Sequence, residues 1–138
     1  GIGQYVEKLV PKTIRYLTTG RKINLHDRGL PKRVWLHAKD TANAVTLIIE
    51  KNIKNEIYNI AGNFEQANID TVTKIFNYYF DNGENYDDYI DYQFERPGQD
   101  VRYSIDDSKL KNIGWTPKIK FDEEIQEIVR YYKKHFVW

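Results

Sequence analysis

The stretch "RVWLHAKDTANAVTLIIEKN", residues 33–52, changes its hydrophobic period part-way and thereby predicts a strand that leads into a helix. Residues 33–37 alternate apolar and polar side chains as a short strand does. Beyond them, Ala44, Leu47 and Ile48 form one apolar stripe at helical spacing, and Asp40 stands where an N-cap residue is expected. A strand followed directly by an amphipathic helix is typical of folds that combine a sheet with helices.

The same signals predict helices on either side of this stretch. The apolar spacing over Leu9–Thr19 favours a helix, and Gly20 stands at the position after it that glycine commonly fills. Another helix is expected to begin near Asn68, and a short one lies within residues 106–114. Residues 121–136 carry acidic side chains in the first turn and basic ones in the last, which suits the helix dipole.

Further short strands are predicted by alternation at residues 22–26, 56–60 and 89–94. Short loops connect the elements, and the chain shows neither an internal repeat nor a low-complexity segment. We therefore expect an α/β fold with α+β character, in which short strands alternate with helices across one domain, residues 1–138.

Composition limits the classes of function. The chain has 138 residues, and Lys+Arg 21 against Asp+Glu 20 leaves a formal charge of +1, so nucleic-acid binding through a broad basic surface is not expected. The absence of cysteine excludes disulfides, thiolate catalysis and cysteine-bound zinc. No apolar run approaches the ~18 residues of a membrane span, so we expect no membrane segment and a cytoplasmic setting. Because methionine is also absent, we expect a piece of a longer polypeptide.

The sequence contains no complete catalytic set. Neither a G-x-S-x-G nor a G-x-G-x-x-G pattern occurs, and no Tyr-x-x-x-Lys pair is present. The three histidines share no spacing typical of a metal site. His135 lies near a helix C-terminus and His37 at the end of a strand, where structural roles are expected, whereas His26 precedes a loop and is either structural or a ligand contact.

Cations in loops and at the ends of elements are the clearest chemical signal. Arginine offers a planar fork that matches phosphate oxygens, and two such groups can hold a diphosphate. The alternative is that each cation pairs with a nearby acid such as Glu95 or Asp100. Asn68, at a predicted helix start, suits either an anion or an N-cap role. The cations in question are Lys8, Arg33, Arg96 and Arg102.

Several motifs together resemble the C-terminal part of nucleotide-sugar 4,6-dehydratases, the dTDP-glucose and UDP-glucose 4,6-dehydratases of the extended short-chain dehydrogenase/reductase superfamily. "R-x-W-L-x-x-x-D" is widespread in that superfamily, whereas "E-K-L-x-P" combined with "R-P-G-x-D-x-R-Y" is much more specific to the dehydratases. The segments that carry the resemblance, in order along the chain, are "QYVEKLVPKTI", "GLPKRVWLHAKDTANAV", "EIYNIAGNFEQANIDTV", "ERPGQDVRYSIDDSKLKNIGW" and "FDEEIQEIVRYYKKHFVW".

The resemblance implies a role for particular residues in binding a nucleotide-diphosphate-sugar. The segment "INLH" resembles the family's stretch beside the nucleobase, and Gln99 stands where the family usually has histidine or asparagine. By resemblance, the diphosphate side comprises Lys8, Leu9, Arg33, Asn68, Arg96 and Gln99, and the nucleobase side comprises Asn24, Leu25 and His26.

In the full-length family enzyme, NAD takes a hydride from sugar C4, water is lost across C5–C6, and the hydride returns to C6. The resemblance places the NAD-binding Rossmann half and the acid/base pair upstream of these motifs, so we expect no catalytic residue, NAD site or metal site in this chain, and no dehydratase activity from it alone. A homodimer of the full-length enzyme is also implied. The alternatives are a related epimerase or decarboxylase, or a non-catalytic module that binds a nucleotide or a protein.

Overall fold

The computed structural model describes residues 1–80 and 85–135. Helices dominate this part of the chain, and its strands are short. Two single turns of 3₁₀-helix, His26–Gly29 and Tyr86–Tyr89, separate some of the longer elements. In chain order the helices and strands are α1 (Leu9–Thr18), β1 (Ile23–Asn24), β2 (Lys32–Trp35), α2 (Ala38–Glu50), β3 (Phe64–Ala67), α3 (Asn68–Phe80), β4 (Ile90–Asp91), α4 (Ser108–Asn112) and α5 (Phe121–Lys134).

The helices predicted from apolar periodicity are confirmed. α1 ends in the expected manner, because Gly20 adopts a positive φ of 66° and the Arg21 N–H donates to the Tyr16 carbonyl over 2.8 Å. α5 carries Asp122, Glu123 and Glu124 in its first turn, as its charge pattern predicted. Residue 136, the last of the predicted helix, lies outside the described residues.

The main core forms where α1, α3 and α5 pack against one another. Each of these helices contributes a stripe of buried aliphatic side chains, and β1 and β4 close one side with Ile23 and Ile90. Side chains that are 0% exposed at the centre of this core are Ile14, Val72, Ile75, Phe76 and Val129. Burial of such groups stabilises the fold by about 1.5–3 kcal/mol each relative to exposure.

The strands form two separate pairs. β1 runs parallel to β4, with Ile23 opposite Ile90. β2 and β3 are antiparallel over four residue pairs, from Lys32 opposite Ala67 to Trp35 opposite Phe64. An isolated parallel bridge between Lys32 and Arg102 places the loop that follows β4 beside the edge of β2 that is not paired with β3. The predicted strands at 22–26 and 89–94 are therefore real but shorter than expected, and β3 was not predicted.

The predicted strand at residues 56–60 is wrong for the described chain. The segment forms no strand ladder within residues 1–80 and 85–135, and Ile57 is 86% exposed. The Lys109 ammonium group instead donates to the Ile57 carbonyl over 3.0 Å and to Glu56 over 2.7 Å. Alternation of side chains suits a strand, but a strand also needs a partner for its main-chain groups.

The predicted capping role of Asp40 is also wrong. α2 begins at Ala38, and the residue before it, His37, caps the helix by accepting a hydrogen bond at Nδ1 from the Lys39 N–H over 3.1 Å. Asp40 is 1% exposed, and its two carboxylate oxygens accept from the main-chain N–H groups of Lys118 and Ile119 over 3.1 and 3.0 Å. Asp40 therefore fastens the segment before α5 to the first turn of α2.

Candidate functional site

Most of the predicted binding residues lie around one edge of the fold. Asn24 ends β1, the buried Leu25 follows it, His26 begins the turn, and Arg33 lies in β2. Hydrogen bonds join these elements to one another and to the loop that follows β4. Two of these bonds reach β1 and the turn after it: the Leu25 N–H donates to the Asp91 carbonyl, and the Arg96 N–H donates to His26. Two more lie at the start of β2: the Asn68 N–H donates to the Pro31 carbonyl, and the Lys32 N–H donates to the Val101 carbonyl.

Lys8 and Leu9 have a different setting, at the start of α1. The Lys8 N–H donates to the Tyr5 carbonyl over 3.0 Å, and Leu9 packs against the main core. Within the described ranges, no hydrogen bond ties either residue to the network around β1 and β2. The structure therefore brings together the residues predicted from the middle of the chain and leaves the first two apart from them.

The turn between β1 and β2 is shaped by close packing on α3. Gly29 has a φ of 80°, and a side chain at this position would place its Cβ 2.9 Å from the Ile69 Cβ atom and main-chain nitrogen. Asp27 and Arg28 also adopt positive φ values, 47° and 52°, which non-glycine residues rarely do. This tight turn holds His26 and Arg28 near the first turn of α3, where Asn68 begins the helix.

Arg33 is held in place by main-chain groups and a ring. Its guanidinium donates to the carbonyl groups of Lys32 and Asp100 over 2.6 and 3.0 Å. The same group lies over the Tyr103 ring, 4.3 Å from the ring centroid. A guanidinium has about five N–H donors, so a ligand oxygen can be bound without breaking these contacts.

Tyr103 is a further polar group beside Arg33, and it belongs to the same loop as Arg96. The pKa of Tyr103 is raised above its usual 10.0 because its hydroxyl shares a hydrogen bond with Asp100, and the charge of that carboxylate adds to the effect. Arg33 and Arg96 oppose this rise, since both positive charges lie close enough to favour the phenolate. The prediction from sequence missed Tyr103, although it ends the "RPGQDVRY" stretch that contains Arg96.

Arg102 pairs with an acidic side chain, which is the alternative to anion binding that the sequence left open. Its Nε atom donates to the Glu65 carboxylate on β3 over 2.6 Å, and that hydrogen bond raises the pKa of the guanidinium. The bond joins the loop after β4 to the β2–β3 pair, next to the bridge with Lys32. Arg102 therefore braces the loop that carries Arg96 and Gln99.

His37 and His135 have structural settings, as expected. Besides capping α2, His37 places Nε2 at 2.9 Å from a Glu124 carboxylate oxygen on α5. His135 follows α5 and lies against the Tyr131 ring, with centroids 5.1 Å apart. His37 also lines a cavity of about 80 Å³ with aromatic walls from Trp35, Phe64 and Phe121, and none of the predicted binding residues contributes to it.

The described residues form neither a metal-binding cluster nor a membrane-spanning helix. In residues 1–80 and 85–135, no group of three or more histidine, aspartate or glutamate side chains is arranged to hold a metal ion. Among the helices of this described part, none combines the length and apolar character that crossing a bilayer requires.

Comparison with known proteins places this arrangement in a family. The family model described as GDP-mannose 4,6 dehydratase matches residues 2–128. The chain belongs to this family. The resemblance to the C-terminal part of nucleotide-sugar 4,6-dehydratases in the extended short-chain dehydrogenase/reductase superfamily is thus confirmed.

Relatives agree with this chain in sequence and in fold. A mouse dTDP-D-glucose 4,6-dehydratase is 35% identical over 138 residues, which cover 99% of this chain and 39% of the relative. The crystal structure of a Bacillus anthracis dTDP-glucose 4,6-dehydratase in complex with NAD matches with a TM-score of 0.83 at 35% identity, over 98% of this chain and 42% of that one.

A Streptomyces venezuelae dTDP-glucose 4,6-dehydratase with NAD and TYD bound matches with a TM-score of 0.87 at 27% identity, over 98% of this chain and 41% of that one. This chain therefore spans about two-fifths of the length of the relatives it matches. The expected fold class, helices and short strands from one portion of such an enzyme, is confirmed.

Proposed function

We propose that this chain is the substrate-binding part of an NAD-dependent dTDP-glucose or UDP-glucose 4,6-dehydratase. The observation that carries the proposal is that Arg33 and the main chain of Arg96 are both tied to the elements around the turn before β2. The Arg33 guanidinium donates to the Asp100 carbonyl over 3.0 Å, and the Arg96 N–H, in the same loop as Asp100, donates to His26 over 2.9 Å. Two guanidinium groups that reach one ligand match the two charges of a diphosphate, and the first turn of a long helix adds favourable main-chain dipoles.

Each predicted residue has a place in this proposal. Arg33 and Arg96 hold the diphosphate, and Asn68 and Gln99 contact it from the start of α3 and from the loop. Asn24, His26 and the main chain of Leu25, whose side chain is buried in the core, are assigned to the nucleobase side. Lys8 and Leu9, which lie apart from this network at the start of α1, are assigned to the diphosphate side by the family resemblance alone. Binding energy gained at these positions, far from the reacting carbons, orients the glucose for the reaction.

The residues present do not fit an NAD site, since the chain contains no G-x-G-x-x-G loop and no Tyr-x-x-x-Lys pair. We therefore assign the cofactor, and with it the chemical step, to a further part of a longer enzyme, with residues 1–138 as one substrate-binding domain. The chain alone, incubated with NAD and dTDP-glucose or UDP-glucose, is expected to form no 4-keto-6-deoxy product. Product formation would contradict this assignment.

The test of binding is calorimetric titration of the chain with dTDP-glucose and UDP-glucose, with sulfate as an unrelated anion. Arg96→Lys is expected to weaken sugar-nucleotide binding about tenfold, because an ammonium group cannot replace the two-pronged guanidinium contact. Arg130→Lys is the matched control: Arg130 lies on α5, where it pairs with Glu127, and the affinity should not change.

The outcome of this titration separates the alternatives. Equal affinity in wild type and Arg96→Lys would show that Arg96 does not hold the diphosphate. Binding of sulfate as tight as that of the sugar nucleotides would contradict a substrate site and favour a general anion-binding surface.

A further inference from the structure

His26 has two partners for a single ring nitrogen. The Arg96 main-chain N–H donates to His26 Nδ1 over 2.9 Å, and a carboxylate oxygen of Glu95 lies 3.1 Å from the same atom. The His26 side chain is 21% exposed, and that of Glu95 is 71% exposed. The two partners are adjacent residues in the loop after β4, so whichever contact His26 makes fixes how that loop is held.

The two contacts exclude each other. A ring nitrogen without a proton has a lone pair and accepts from an N–H group, whereas a protonated ring nitrogen donates and cannot accept. With Nδ1 unprotonated, His26 therefore holds the main chain of Arg96. In the imidazolium form, Nδ1 donates to the Glu95 carboxylate, and the Arg96 N–H loses its acceptor.

We propose that His26 is a positioning residue for Arg96, and that its protonation state sets where the Arg96 guanidinium stands relative to Arg33. The hydrogen bond spans 70 residues of sequence and fixes the main chain at Arg96, in the loop whose Asp100 carbonyl accepts from the Arg33 guanidinium over 3.0 Å. This role adds to the nucleobase contact assigned above. The consequence for ligand binding rests on the proposed function, but the hydrogen-bond exchange itself does not.

The other charged groups nearby are engaged with different partners. The Arg28 guanidinium lies over the Tyr92 ring, 5.1 Å from its centroid, and the Tyr92 hydroxyl donates to Asp87 over 2.9 Å. Asp91 accepts at its side chain from the Gln93 N–H over 3.0 Å. Glu95 is thus the carboxylate that meets the ring. The charged residues within residues 26–29 and 86–96 and the first turn of α3 are Asp27, Arg28, Asp70, Asp87, Asp88, Asp91, Glu95 and Arg96.

The first experiment observes the Arg96 amide without a ligand. Its ¹H and ¹⁵N resonances, followed by NMR between about pH 5 and 8 where histidine side chains titrate, should move together with the ring resonances of His26. In His26→Asn, an amide oxygen near the position of Nδ1 accepts from Arg96 but does not titrate, so the Arg96 resonances should stay constant. In His26→Phe the acceptor is absent, and hydrogen exchange at Arg96 should be faster at every pH.

His135→Asn is the matched control, since it removes a titrating histidine at the end of α5 and should leave the Arg96 titration unchanged. An Arg96 amide that does not move as His26 titrates would overturn the proposal. So would an Arg96 amide that still titrates in His26→Asn. His26 is partly exposed and His135 is exposed, and the dispersion of the same spectra reports whether each variant is folded.

The second experiment measures affinity for dTDP-glucose, whose diphosphate is a diester and keeps its charge over this range. Losing one hydrogen bond to the loop should weaken binding about fivefold between pH 8 and pH 5.5 in wild type, and not in His26→Asn. Binding that is equally tight at both pH values in wild type would overturn the proposal and leave the proposed function intact. Absence of binding at every pH would refute the proposed function, while the Arg96 amide would still decide the role of His26.

Discussion

Replacing Asp40 by alanine is expected to destabilise the protein more than any substitution of a surface carboxylate. Asp40 is 1% exposed, and its oxygens accept from the Lys118 and Ile119 N–H groups over 3.1 and 3.0 Å. Its main-chain carbonyl also accepts from the Trp115 indole N–H over 3.2 Å, and alanine keeps that bond. The substitution therefore removes two charged hydrogen bonds and leaves two partly buried donors without acceptors.

The size of the effect follows from those two bonds. A hydrogen bond to a charged group contributes about 1.5–3 kcal/mol, so the loss of two in Asp40→Ala should lower the free energy of unfolding by about 3–6 kcal/mol. That is a large fraction of the roughly 5–15 kcal/mol that a folded domain has in total. Asp40→Asn keeps one oxygen acceptor and should lose about half as much.

Urea unfolding followed by tryptophan fluorescence measures this difference, because Trp115 is buried beside Asp40. With a slope of about 1–3 kcal/mol per molar urea, Asp40→Ala should shift the midpoint by more than about 1 M. Asp122→Ala is the control: Asp122 is 59% exposed in its pair with Lys74, and its loss should cost at most about 1 kcal/mol. Equal midpoints for Asp40→Ala and Asp122→Ala would refute the reasoning.

Two other predictions concern the turn before β2 and the pH dependence of stability. Gly29→Ala should lower the free energy of unfolding by about 1–3 kcal/mol, because the new Cβ atom lies 2.9 Å from Ile69 and the backbone is left-handed. Gly20→Ala is the control, since Gly20 is also left-handed but has open space around it, so its unfolding free energy gives the cost of the conformation alone. The hydrogen bond from Lys109 lowers the pKa of Glu56 from 4.5, so the stability it contributes is present above pH 4.5 and is lost as the pH falls through the lower folded value. Glu56→Gln should flatten that part of the stability–pH curve, and an unchanged curve would count against the pairing.

Local sequence patterns were enough to predict the long helices, because each carries its apolar stripe and its end signals within one segment. They were not enough for Asp40, since an aspartate near a helix start suits both a cap and a first-turn position. Which of the two positions Asp40 takes depends on the N–H donors of Lys118 and Ile119, which lie 78 and 79 residues further along the chain. The strand predicted at 56–60 failed for a related reason: alternation describes side chains, while strand formation depends on a neighbouring main chain.

At the candidate site, too, local patterns predicted individual residues but not the contacts between distant ones. Local chemistry marked the loop arginines as candidate anion contacts, and the family resemblance named the positions, but neither indicated which of them would meet. Arg102 pairs with Glu65, whereas the Arg33 guanidinium donates to the Asp100 carbonyl and lies over the Tyr103 ring. That separation is decided by the tertiary arrangement of β2, β3 and the loop after β4. Tyr103 was missed because a tyrosine without a periodic or motif signal is more often a packing residue.

The segment around Ile57, which forms no strand ladder with the described residues, has a consequence for the behaviour of the protein in concentrated solution. Main-chain groups outside a strand ladder offer a second molecule a place to add a strand, and an exposed isoleucine makes that contact more favourable. Lys109 covers one of these carbonyl groups and brings a positive charge to the edge. Colloidal stability therefore depends in part on one lysine that lies 52 residues away in the chain.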